Sequence, residues 1–180
     1  MDEVVNPDLF LLFDALAVAI AAAIMDAQQR RIPNWLTYPA MVAGVVLRSV
    51  FYGWHGLLTA VGGCLLAGGI VFVFYTLRAM GAGDLKLLAA IGSMVGPQHT
   101  ISVLLATGIA GGVLALIYVV YRGRTRATIS NVGAVLKFHA WAGLQAHPEL
   151  NLDNPTTLRM PYGLAIAAGT LCAFITAWGK

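Results

Sequence analysis

Six apolar runs, each close to the length that crosses a bilayer as a helix, leave this chain one solvent in which to fold. They cover residues 9–25, 35–52, 57–77, 80–95, 100–121 and 161–178. A hydrocarbon core of about 30 Å takes about 20 helical residues at about 1.5 Å each. The fourth run is the shortest: only eleven residues separate Asp84 from Gly96, so a crossing there has to begin near Arg78. Charged residues make up 11% of the chain, less than half the roughly one quarter that a soluble domain carries. A water-soluble globule is excluded. So is nucleic-acid binding, because the net charge is only +3 and no basic block coincides with stacking aromatics. The expected fold is all-α: one polytopic membrane-embedded domain over residues 1–180 with about six transmembrane helices.

Direction follows from where Lys and Arg fall. One set of loops holds Arg30, Arg31, Arg78, Lys86, Arg122, Arg124, Arg126, Lys137 and Arg159. The other holds Lys180 alone, together with the acidic N-terminus and the uncharged links 53–56 and 96–99. The N-terminus is therefore expected outside, with nine of the eleven basic residues in the cytoplasm. The start, MDEVVNPD, lacks the positive region of a secretory signal, so the first span is expected to stay attached. Trp35, Trp54 and Trp178 fall near span ends, where an interfacial belt is expected. The cytoplasmic segment 122–159 contains VGAVLKFHAWAGL, an apolar stretch suited to an interface.

Acidic groups in or beside a bilayer are costly, and three require an account. Asp14 and Arg48 lie at similar depth if the chain folds as a hairpin about residue 31, which suggests a structural ion pair on the outer side. Asp26 follows the first span and Asp84 opens the fourth, in GAGDLKLLAAIG. Taken singly, the first reads as a solvated helix end and the second as an N-terminal Asp favoured by the helix dipole. The topology, however, delivers both to the same membrane face, and Gly81 and Gly83 allow either close backbone approach or φ > 0 beside Asp84. Two neighbouring carboxylates tend to hold one proton between them. The ionised member can activate water while the protonated one donates to a carbonyl oxygen, which is aspartic-protease chemistry. It uses neither metal nor cofactor. His55, His99, His139 and His147 are not at ligand spacing, and Cys64 with Cys172 form no CxxC, so no metal site is expected.

Three strings in order, DAQQRRIPN after the first span, GAGDLKLLAAIG at the fourth and RMPYGLAIAAG opening the last, resemble the signature regions of the type IV prepilin peptidases. The short form is similar to their tight-adherence, CpaA-like branch, which serves Flp-type pili. The resemblance implies GxGD aspartic endopeptidases of the bacterial inner membrane, with the catalytic pair mapping to Asp26 and Asp84. It implies prepilin or pseudopilin partners, whose basic leader is cut at the cytoplasmic face before an apolar helix. Longer family members carry cysteine pairs and also methylate the new N-terminus; this chain lacks those pairs, so peptidase activity without methyl transfer is expected. Gly81, Gly83, Lys86, Arg30, Pro161, Tyr162 and Gly163 are candidates for shaping the site. Simpler roles also fit them: Arg30 and Arg31 as positive-inside anchors, Lys86 as a snorkelling residue, 159–163 as a helix entry. Two rivals stand beside this reading. A six-span transporter or assembly scaffold would show a polar pathway at mid-membrane, where the spans offer few ionisable groups. A presenilin-type protease would share GxGD but not the other two strings.

Overall fold

A computed structural model describes residues 6–121, 123, 125–143, 145, 148 and 160–179, and among them the only regular structure is helical. The described residues form five helices: α1 (Pro7–Gln29), α2 (Asn34–Thr76), α3 (Ala82–Tyr121), α4 (Thr125–Ala142) and α5 (Gly163–Trp178). Arg122, Arg124, His147, Arg159 and Lys180 lie outside the described residues, as do the side chains of Arg126 and His139. The first three helices are long and apolar enough to cross a membrane, whereas α5 is apolar but shorter.

α1 starts where the sequence supplies a cap. The Asn6 side chain accepts the Asp8 N–H at 3.1 Å and Pro7 occupies the first turn, where its missing N–H costs nothing. It ends at Arg30, which adopts the left-handed conformation (φ 53°) and donates its N–H to the Asp26 carbonyl at 2.8 Å. That cap fixes Asp26 in the last turn.

α2 and α3 each reverse direction at one glycine. Gly53 (φ 60°, ψ −139°) and Gly96 (φ 71°, ψ 173°) take conformations closed to other residues, and each interrupts its helix. At the first break the chain folds back far enough for Arg48 Nε to donate to Thr59 Oγ1 at 2.9 Å. On a straight helix eleven residues would separate them by about 16 Å. The uncharged links expected at 53–56 and 96–99 thus contract to one residue each. Pro97 follows the second break, where it can open a new helical segment.

Residues 87–96 of α3 are all buried, so this segment is the central helix of the bundle, apolar on every side. Both halves of α2 pack on it through small residues. A Cβ at Gly44 would strike Ser93 and Met94, and one at Gly63 would strike the Gly92 backbone. Gly169 of α5 meets Thr107 of α3 in the same way. Close approach of this kind replaces the hydrophobic drive that lipid does not provide. Gly69, Gly108 and Gly112, also in small-residue clusters, face open space. The outer surface is apolar too, with Val50, Leu65 and Ile109 each at least 69% exposed. On a protein in water such a surface would be an aggregation site; here it marks a membrane protein.

One sequence expectation is corrected. Arg48 pairs not with Asp14 but with Asp8, at 3.6 Å. The hairpin argument assumed that α1 lies against α2, whereas α1 packs chiefly against α5 and α3. Arg48 accordingly points toward α3. Nη1 donates to the Met94 carbonyl at 2.9 Å, and the guanidinium fills the space that a side chain at Gly96 would need.

Candidate active site

Asp26, at the end of α1, and Asp84, at the start of α3, lie at the same end of the bundle. Asp26, in the last turn of α1, is 8% exposed. Asp84, in the first turn of α3, is partly buried. They are near enough for the charge of Asp26 to act on Asp84. The chain brings them together because α1 descends to this end and α3 starts from it, after both halves of α2 have run out and back.

Each carboxylate is held by a backbone amide. Asp84 Oδ2 accepts the Gly81 N–H at 3.3 Å, a long bond within its own helix start. Asp26 Oδ2 accepts the Gly163 N–H at 2.8 Å, a bond that spans 137 residues and ties α1 to the N-terminus of α5. Gly163 is needed for this approach: a Cβ there would lie 3.0 Å from Asp26 Cβ and 3.1 Å from Ala23 Cα. Tyr162, next to it, stands where the charge of Asp84 reaches its hydroxyl, and its ring rests on Gly111, at which a Cβ would come within 2.9 Å.

The other expected site residues divide. Gly81 and Gly83 lie beside the pair by close approach, since neither has positive φ; a Cβ on Gly83 would press on Ile32 at 3.1 Å. Lys86 turns away, donating to Asn34 Oδ1 at 2.9 Å and lying over the Tyr38 ring. Arg30 is exposed and acts in the fold through its backbone cap. Pro161 lines a cavity of about 390 Å³ with Tyr118, Tyr121, Tyr162 and Leu164, between α3 and the start of α5. A second, of about 340 Å³, lies on the other side of Leu164 against Ile20, Ala23 and Ile24 of α1. In the sequence Gly111 reads only as part of a helix-packing cluster with Gly108 and Gly112, Asn34 only as the start of the second span, and Gly163 has no donor role. Among the described residues no cluster of three or more His, Cys, Asp or Glu suits a metal ion.

A helical membrane bundle with two carboxylates at one end, each within reach of the other's charge, defines a class before it defines a family. The type IV leader peptidase family is matched over residues 14–116, more than half of the chain, and the chain belongs to that family. Relatives include the prepilin leader peptidase/N-methyltransferase of Xanthomonas campestris pv. campestris, 30% identical over 128 residues, 68% of this chain and 45% of that protein. The protein of the same name from Burkholderia pseudomallei strain 1026b is 34% identical over 120 residues, 63% of this chain and 38% of its own. That from Escherichia coli K12 is 29% identical over 134 residues, 71% of this chain and 58% of its own. The chain thus spans about half the length of these relatives, or less. No solved structure matches it.

Proposed function

We propose that this chain is an aspartic endopeptidase that removes the basic leader of Flp-type pilin precursors at the cytoplasmic face of the bacterial inner membrane. The observation that carries the reading is the junction of Asp26 and Asp84 at the end of the bundle where α1 finishes and α3 begins. In this reading the halves of α2 and α3, together with α1 and α5, are six membrane spans with the N-terminus outside. The asymmetry of Lys and Arg sets that direction and turns the acidic pair toward the cytoplasm. A leader junction, basic on one side and apolar on the other, would sit at the same level. The apolar walls flanking Leu164 suit the helix that follows the cut. Methyl transfer is left out of the proposal because the cysteine pairs of the longer, methylating family members have no counterpart in this sequence, whose two cysteines, Cys64 and Cys172, lie apart in α2 and α5.

The test is co-expression with a candidate precursor and mass analysis of the product. Wild type should shorten the precursor, whereas Asp26→Ala and Asp84→Ala should insert in the membrane and leave it uncut. Cleavage by either variant at the wild-type rate removes that residue from the mechanism. EDTA should not slow the reaction, and its loss on chelation would replace aspartic with metal chemistry. A wild-type protein that never cuts any precursor would return the chain to the transporter or scaffold reading.

A further inference from the structure

We propose a division of labour within the pair: Asp26 is the ionised, water-activating carboxylate, Asp84 is the proton donor, and the amide of Gly163 is the positioning group that sets this order. The inference rests on the peptidase reading above.

The two acids are held unequally. Asp26 accepts a 2.8 Å bond from the first amide of α5, whereas Asp84 accepts a 3.3 Å bond from Gly81. A donor to a carboxylate favours its charged form, and the shorter bond does so more strongly. The Gly163 amide also belongs to the N-terminus of another helix, whose dipole attracts an anion. The ends of their own helices act the other way, since Asp26 closes α1 and Asp84 opens α3; in this proposal the short bond from the abutting helix outweighs them. Packing fixes the arrangement, because the absence of a Cβ at Gly163 lets the amide reach the carboxylate. The other titratable groups at the pair do not reverse it. Tyr162 stands on the side of Asp84, Lys86 is bonded to Asn34, and Arg30 is exposed.

The chemistry then runs in one direction. Asp26 takes a proton from water as the water oxygen bonds to the scissile carbonyl carbon, and Asp84 gives its proton to the carbonyl oxygen. On collapse the C–N bond breaks, Asp26 passes its proton to the leaving nitrogen, and one hydroxyl of the tetrahedral centre returns a proton to Asp84. One water and one peptide bond become a carboxylic acid and an amine, and the pair ends as it began.

The experiment is single-turnover cleavage by the 180-residue enzyme in liposomes from about pH 3 to 9, a range that spans the ordinary titration of an aspartate. Gly163→Ala displaces the amide, so its acid limb should move up by at least half a unit, about threefold slower on that limb, with the rate recovered on the plateau before Asp84 loses its proton. A uniform loss at all pH, or an unmoved limb, would make Gly163 a spacer and overturn the proposal. Should Gly163→Ala fail to accumulate, amide isosteres decide. Asn can still donate a hydrogen bond but cannot act as a base, so Asp84→Asn should retain at least tenfold more activity than Asp26→Asn. Equal or reversed activities would overturn the assignment. If wild type leaves the precursor whole, it is the peptidase reading that fails.

Discussion

At the scale of single residues, contacts decide which small or charged positions matter. Gly63 touches the Gly92 backbone, whereas Gly69 faces open space. Gly63→Val should therefore cost about 1–3 kcal/mol through overpacking, and Gly69→Ala should leave thermal unfolding in detergent unchanged or slightly raised. Arg48 gives a second contrast. Arg48→Gln strips the buried Met94 carbonyl of its donor and should cost about 1–3 kcal/mol. Asp8→Asn should cost no more than about 1 kcal/mol, because the Asp8 side chain is 41% exposed and the pair is partly screened. Asp14→Asn, at a position outside that ion pair, should leave the melting temperature where it is. The presence of Arg48 at a costly depth was legible in the sequence. Its partner was not, since sequence spacing gives depth along a helix but not which neighbour the helix leans on.

Among the elements, the two glycine reversals turn three long helices into a bundle. Alanine at either position is forced into backbone strain worth about 1–3 kcal/mol. At Gly53 a Cβ meets nothing within 4 Å, so strain alone applies; at Gly96 it also lies 2.7 Å from Arg48 Cζ. Gly96→Ala should thus lower the unfolding temperature more than Gly53→Ala, and equal shifts would show that the Arg48 contact carries no weight. Hydropathy periods had placed separate spans on either side of these glycines. The links between them read as short loops because a sequence does not reveal that one residue with positive φ can complete a reversal. The site followed the same rule. Asp26 and Asp84 could be placed on one face from the order of the elements, but the amide of Gly163 could not, because its role arises only when α5 packs against α1.

For the whole molecule, the proposed orientation makes two groups of positions. With Cys64 and Cys172 replaced by serine, a cysteine at Gln29 should react with an impermeant maleimide only after the cells are opened. Cysteines at Trp54 and Gln98, beside the two reversals, should react in intact cells. The opposite pattern would invert the molecule and place the acidic pair outside. The apolar exterior and buried central helix are properties of the assembled bundle, and composition had already required a structure of that kind. What composition could not supply is the order of packing around residues 87–96, which depends on where glycine, serine and threonine allow backbones to touch.

The bond from Gly163 to Asp26 gives the bundle a temporal order as well as a shape. A ribosome delivers both acids to the membrane long before it delivers α5. A nascent chain stopped short of residue 163 would hold the two carboxylates without the amide that orients one of them. The preference for one ionised carboxylate would then be set only once α5 has packed against α1, later than the carboxylates themselves are in place.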